Sequence, residues 1–479
     1  MIPHIPRSLL LFPLLFLLSS SASAPIPSSS PDLSPDPSPA GDDDGGSLLT
    51  DVSSATLNSV LDNILEIGLH PEAMSKVDVT SLGDSLGFGP KMRRHFTFEQ
   101  GLVNLNHGSY GATPRIVLRR QEAWRRRMEA SPDAWFRVDQ YAEMDRVRAE
   151  VAEYIGGDAE DVAFVANTSG GVNAVLRSLL RGGGKVLCLN LAYQMVKNAL
   201  SYIQEAFGEA VVTVEILPPF TQEGVLAAVE AALEANPDVS FAVVDHITSC
   251  PAMVLPVEQL VAMLKRKGVK VLVDGAHAIG HVPLDVSALG ADFYVSNGHK
   301  WLYSPKSSAV LWASKDAQKD LYPTTISGLG KGGTPFQLQF SYLGTSDVTA
   351  YVAMGDALSF RRRIGGDAAI MAYLIALSSQ GGDLLAARWK TSTLVSGDMA
   401  ACAMVNVRLP PCDGNATAPR DLPWTLMEEY HTWVPTYQLV AGGDWWVRVS
   451  AQVYNGLGDY EMLANAVIAI YTKSCSNGI

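Results

Sequence analysis

From residue 161 onward, short apolar runs alternate with stretches of helical period. DVAFVA at 161–166 leads to a helix at 172–180, KVLCLN at 185–190 to one ending near Phe207, and a run at 211–216 to one near 223–235. SFAVV at 240–244 leads to a helix at 256–267, and VKVLV at 269–273 and FYV at 293–295 follow. A parallel strand pair needs a long crossover, and a helix supplies it. The alternation therefore predicts an α/β fold, a mostly parallel sheet with helices on both faces. Ligands in such a sheet gather beyond the carboxyl ends of the strands. Polar clusters stand at those ends here: Asn167–Gly171, Tyr193, Asp245-His246, Asp274–His277 and Ser296–Lys300. The spacing predicts one site assembled from many strand ends.

Two of these clusters specify a chemistry. Asp274 ends an apolar run, where a carboxylate must find a cation or a metal. Lys300 ends the next run, crowded by Gly298 and His299, where desolvation frees its amine. An acid and a lysine at neighbouring strand ends meet the needs of pyridoxal 5'-phosphate (PLP). The lysine forms the Schiff base and the acid keeps the pyridine nitrogen protonated. His277, one turn from Asp274, can hydrogen-bond the ring or its phenolic oxygen. Asn167–Gly171 opens a helix, whose free N–H groups and positive dipole end suit a phosphate. Tyr193 either stacks on the ring or packs in the core. Arg448, inside the apolar WWVRVS, needs an anion, either a substrate α-carboxylate or a buried Asp or Glu. A rival from another class is a metal hydrolase, with His277 and His281 four residues apart beside Asp274. It lacks the glutamate of HExxH, and Pro283 limits a helix there.

The 479 residues, 47% hydrophobic, supply ample core for two domains in one folded body. A net charge of −13 argues against nucleic acid and anionic membrane surfaces as partners. The basic run RRQEAWRRR reads as a solvated helix face or subunit contact. Five cysteines, Cys188, Cys250, Cys402, Cys412 and Cys475, show no CxxC spacing and read as free thiols in a reducing compartment. Residues 1–24 are expected to be a targeting segment, leaving no membrane segment in the mature chain. Arg7, the apolar Leu9–Leu18 and Ala22-Ser-Ala24 look secretory. The absence of acids before Asp32 and the dense serines from Ser19 to Ser30 look like a plastid transit peptide. Asn167-Thr-Ser is a glycosylation sequon, and a glycan there would block the phosphate loop, which favours the chloroplast over the secretory route. Asn415-Ala-Thr is a second sequon. Residues 25–50 read as a disordered linker and 51–95 as a helical extension, with a helix at 55–69.

The assembled motifs resemble fold-type I PLP enzymes of the class V aminotransferase group. That group includes cysteine desulfurases, isopenicillin N epimerase-like proteins and, most similar, plant L-cysteine desulfhydrases. The resemblance runs from about Phe96 to the C-terminus through NLNHGSYGATP, ANTSGGVN, VDHITS, VDGAHAIG, SNGHKW, LGTSD and WVRVSAQVYN. It implies a large PLP-binding domain at 96–350 and a smaller α+β domain at 351–479. It implies Lys300 as the Schiff-base residue, Asp274 on the pyridine nitrogen with His277 beside it, and Thr168, Ser169, Ser296 and His299 on the phosphate. Tyr193 stands where a stacking histidine is usual in the desulfurases. Thr345 of LGTSD should reach the phosphate of the neighbouring subunit, which implies a homodimer with shared active sites. Asn106 and His107 fall near the substrate, and Arg448 should hold its carboxylate.

One departure separates the branches. Desulfurases carry a persulfide-forming cysteine shortly before the carboxylate arginine. Here the nearest preceding cysteine is the distant Cys412, and HTWVPTYQLVAGGDWW contains none. The expected reaction is therefore α,β-elimination on L-cysteine, giving hydrogen sulfide, pyruvate and ammonia. Epimerisation or racemisation shares the first proton abstraction but needs a second donor, for which Tyr193 and His107 are candidates. A PLP-binding pseudoenzyme is disfavoured by the intact lysine and acid.

Overall fold

The computed structural model describes Val60 and residues 71–74, 76–412 and 418–475. The expected targeting segment, the linker, the Asn415 sequon and all of the 55–69 helix except Val60 lie outside the described residues.

The strands of the described residues form two sheets. The larger contains β1 (Val162–Val165), β2 (Lys185–Leu189), β3 (Ala210–Val214), β4 (Val239–Asp245), β5 (Lys270–Asp274), β6 (Phe293–Asn297) and β7 (Ala309–Ala313) in the order β1-β7-β6-β5-β4-β2-β3. Neighbours from β3 to β6 pair in parallel, and β7 runs antiparallel to both β6 and β1. The carboxyl ends of β1, β2, β4, β5 and β6 thus share one edge. The central strands are buried along their length rather than on alternate residues, as a sheet covered on both faces requires. The α/β expectation holds, and β7 is the element that the alternation did not reveal. It returns from β6 as an antiparallel neighbour, with no crossover helix to announce it.

One helix start also moves. The Asn167–Gly171 stretch is no loop: Asn167 is the N-cap of helix Thr168–Leu179, its Oδ1 accepting from the Gly170 N–H at 2.9 Å. The helix buries Val172, Val175 and Leu176.

The second sheet, β8 (Met404–Arg408), β10 (Trp445–Ser450) and β9 (Thr436–Gln438), is antiparallel and carries the helix Gly366–Trp389, on which the helix Leu457–Ser474 packs in turn. Gly366–Trp389 is long and apolar enough to cross a membrane, but it is the core helix here, with Ile370, Leu374 and Leu377 buried. One core joins it to Met74, Leu86 and Phe96, so the described part of the N-terminal extension is built into the C-terminal body.

Cys412 and Cys475 form a disulfide across a sequence separation of 63. The expectation of free thiols is corrected for this pair. The loop after β8 and the end of the last helix bring their Cα atoms to 5.0 Å, which no sequence spacing discloses. Cys188, Cys250 and Cys402 are free.

Candidate active site

Lys300 lies on a single helical turn, Gly298–Trp301, directly after β6. The NLNHGSYG segment braces that turn from below. His107 Nε2 donates to the Lys300 carbonyl oxygen at 2.8 Å, and its Nδ1 lies 2.8 Å from the Tyr454 hydroxyl. Burial holds the His107 imidazole neutral, with a pKa lowered to about 3. Gly111, at φ +69°, passes so close that a Cβ would sit 1.9 Å from the His299 oxygen. His107 was expected near the substrate, but one ring nitrogen goes to the Lys300 carbonyl and the other to the Tyr454 hydroxyl, and it is fully buried.

Lys300 Nζ is 3.2 Å from His277 Nε2. Burial, and secondly the nearby Arg448 guanidinium, lowers its pKa to about 8, while Asp274 opposes the shift. Asp274 is buried at the end of β5, its Oδ1 accepting from Ala276 N–H at 2.9 Å. Its register partner on β4 is Asp245, also buried, whose Oδ2 has no hydrogen-bond partner. Burial and the neighbouring Asp274 push the Asp245 carboxyl well above the usual range. Asp245 stood in the strand-end pattern without a role. The signal that would have found it is two acids ending strands that pair in register.

These groups line a cavity of about 310 Å³ together with Asn167, Thr168, Ser169, Tyr193 and His299. Thr168 is buried, its N–H donating to Asn297 Oδ1 at 2.9 Å and its hydroxyl without a partner. A buried hydroxyl on the first turn of a helix, beside the exposed Ser169, fits a phosphate oxygen. His299 Nδ1 donates to the Ser308 carbonyl at 3.2 Å, and burial with the Lys300 charge lowers its pKa to about 4. Tyr193 is 47% exposed at the cavity rim, so its core-packing alternative falls. An unpartnered hydroxyl at a helix N-terminus, a buried lysine and a buried acid lining one cavity are the donor set that PLP requires.

Ser296 is turned elsewhere. Its hydroxyl donates to the Gly275 oxygen and accepts from Ile279 N–H at 3.1 Å, tying β6 to the turn after β5. The expectation of a phosphate contact is corrected, because the single proton of this buried hydroxyl goes to the Gly275 oxygen and Ser296 does not line the cavity. Thr345 sits on an exposed loop, 3.3 Å from the Tyr342 hydroxyl, and is not among the residues lining this cavity. His281 donates from Nδ1 to the His277 oxygen at 2.8 Å and accepts the Ala403 N–H on Nε2 at 2.7 Å. Both its nitrogens face backbone, which removes the metal-hydrolase alternative. Among the described residues no group of three His, Cys, Asp or Glu is placed to hold a metal.

Arg448 is 1% exposed in the middle of β10. Nη1 donates to the Ser249 oxygen and Oγ at 3.1 and 3.2 Å, and Nη2 to Asn106 Oδ1 and Ser109 Oγ at 2.9 and 2.7 Å. Nε has no partner. The buried-salt-bridge alternative fails, since every contact is to a neutral group. Ser109 and Ser249 line the cavity, so the guanidinium stands directly behind its wall. Asn106 therefore orients the arginine. Cys250, next to Ser249, is free and within electrostatic reach of Lys300, a proximity that the linear distance from Arg448 concealed.

Known proteins share both the sequence and the fold around this site. The chain is 34% identical over 407 residues to the putative L-cysteine desulfhydrase 1 of Oryza sativa subsp. japonica, covering 77% of this chain and 83% of that protein. It is 29% identical over 392 residues to the probable L-cysteine desulfhydrase, chloroplastic, of Arabidopsis thaliana, covering 76% and 82%. Its fold is similar to that of the cysteine desulfurase CsdA of Escherichia coli, with a TM-score of 0.66 and 19% identity over 81% of this chain and 99% of that one. The model of the family described as Aminotransferase class-V matches residues 112–418, and the chain belongs to that family.

Proposed function

We propose that the chain is a PLP-dependent carbon–sulfur lyase that converts L-cysteine and water to hydrogen sulfide, pyruvate and ammonia by α,β-elimination followed by hydrolysis. One observation carries the reading: a buried arginine with no acidic partner stands beside a cavity that holds a deprotonatable lysine. That pairing suits an amino-acid substrate, with the guanidinium for its carboxylate and the amine for its Cα proton. Relatives named L-cysteine desulfhydrases support cysteine as that substrate.

PLP supplies the electron sink that makes the Cα proton removable. Lys300 would hold the cofactor and Asp274 its ring nitrogen, with His277 beside them. Thr168 and Ser169, at the first turn of their helix, would take the phosphate with His299. Arg448 would fix the substrate carboxylate and so aim Cα at Lys300 Nζ, which takes the proton. Tyr193 at the rim would cover the ring. We further propose a homodimer in which Thr345 completes the neighbouring subunit's phosphate site. The proposed compartment is the plastid. The Cys412–Cys475 disulfide favours the oxidising secretory route as the competing destination, and a C-terminal fluorescent fusion separates the two.

Incubating the holoenzyme with L-cysteine and assaying sulfide and pyruvate together tests the reaction. Equal amounts of both are expected. Sulfide with alanine in place of pyruvate means desulfurase chemistry, and turnover to neither, with loss of the substrate's optical purity, means epimerisation.

A further inference from the structure

Lys300 does not face His277 by chance of packing. His277 Nδ1 lies 3.3 Å from Trp301 Nε1, and His277 Nε2 lies 3.2 Å from Lys300 Nζ. An indole nitrogen only donates. A neutral imidazole that accepts at Nδ1 must carry its proton on Nε2. We propose that Trp301 is a positioning residue that fixes His277 in this tautomer, so that a donor faces Lys300 Nζ and the cofactor beside it.

The indole has no freedom to release its grip. Trp301 is 1% exposed, the His281 ring stacks on it at 3.9 Å, and Arg361 Nη1 holds its carbonyl at 2.8 Å. A buried indole N–H needs an acceptor, and His277 Nδ1 is its partner. The reverse tautomer would set two N–H groups against each other and strand both. His281 is fixed independently by backbone on both nitrogens, so the imidazole facing the lysine answers to Trp301 alone.

The consequence falls on Lys300. A free amine accepts the Nε2–H, whereas an ammonium meets it donor to donor. The arrangement therefore favours the amine, in the same direction as burial and Arg448. The other charged or titratable groups around Lys300 and His277 are Asp274 from β5, Cys250 after β4, and His281 and His299. Asp274 and, less strongly, Cys250 pull the other way, and the three histidines are held neutral by burial.

The test uses cofactor capture by the apoenzyme, which needs the free amine. The growth of the visible absorbance of bound PLP is followed as a function of pH for wild type and for Trp301→Phe, which keeps the ring and removes the N–H. In Trp301→Phe the imidazole is free to reverse and accept from the ammonium, so the midpoint should rise by about one pH unit and capture at pH 7 should slow about tenfold. In a His277→Gln background the amide supplies a donor without help, and adding Trp301→Phe should move nothing. An unchanged midpoint in folded Trp301→Phe, or an equal shift in both backgrounds, overturns the proposal. If Trp301→Phe does not fold, ¹⁵N-histidine NMR of wild-type apoenzyme, assigned with His277→Gln, decides. Protonated Nε2 and bare Nδ1 support the proposal, and the opposite pattern overturns it.

Discussion

Replacing Arg448 with lysine keeps the charge and removes the fork. The guanidinium spans two sides of the site, Ser249 on Nη1 and Asn106 with Ser109 on Nη2. A lysine nitrogen is a single point and holds one side at most. A substrate carboxylate then loses one arm of a two-point grip. A hydrogen bond to a charged group contributes about 1.5–3 kcal/mol, so kcat/KM for L-cysteine should fall about 10- to 150-fold. Arg448→Met, which also removes the charge, should cost about 2–5 kcal/mol. Steady-state pyruvate formation measures the loss. Spectral titration with glycine, which has a carboxylate and no leaving group, should show the same factor in binding alone. The visible absorbance of PLP should be unchanged, because the role proposed for Arg448 is toward the substrate carboxylate and not the cofactor. Arg448→Lys with kcat/KM within about threefold of wild type, at full cofactor content, would refute the carboxylate role, since the loss of one charge-assisted bond already exceeds that.

Capture of PLP by wild-type apoenzyme should accelerate with pH around a midpoint near 8, where the buried Lys300 sheds its proton, and a midpoint near 10.5 would mean an ordinary lysine. The same shift makes folded apoenzyme carry its full lysine penalty below about pH 8 and lose it as pH rises towards 10.5, which a pH series of urea midpoints reads. Thr168→Val removes a buried hydroxyl that has no protein partner, so PLP affinity should drop about 10- to 150-fold while apoenzyme stability holds or rises, and equal affinity would move the phosphate elsewhere. Cys250→Ala should leave sulfide and pyruvate yields within about twofold, because the elimination uses no protein thiol, and loss of sulfide would assign Cys250 a sulfur-accepting role. Cys412→Ser with Cys475→Ser removes a cross-link over a separation of 63, about 4 kcal/mol at most, and should lower the thermal midpoint by up to about 5 °C with activity retained.

Much of the fold was legible because its periods are local. The strand-then-helix rhythm placed the sheet and the edge on which Asp274 and Lys300 meet. What escaped was whatever depends on contacts distant in sequence. β7 pairs antiparallel and carries no rhythm of its own. Ser296 shares a strand end with the site, but its hydroxyl turns to a backbone carbonyl, and only rotamer and register decide that. His107 has the look of a catalytic histidine. Its partners, Tyr454 and the Lys300 carbonyl, lie 347 and 193 residues away and make it a brace. Asp245 was visible at its strand end yet unremarkable until register put it against Asp274. The Cys412–Cys475 bond depends on how a loop and a terminal helix meet, which composition cannot report.

The bond from Arg448 to Asn106 joins residues 342 apart in the sequence. Loops that long close late, after the local sheet and helices are in place. A nascent chain that has released only its first three hundred residues holds the lysine and the acids but not the arginine. The same holds for a chain threaded unfolded across an organelle envelope, since no part of it can carry a finished site through. Such a chain arrives empty. Under the proposed plastid routing, PLP would have to be supplied beyond the envelope, so coenzyme in that compartment rather than synthesis of the polypeptide would set when the site is completed.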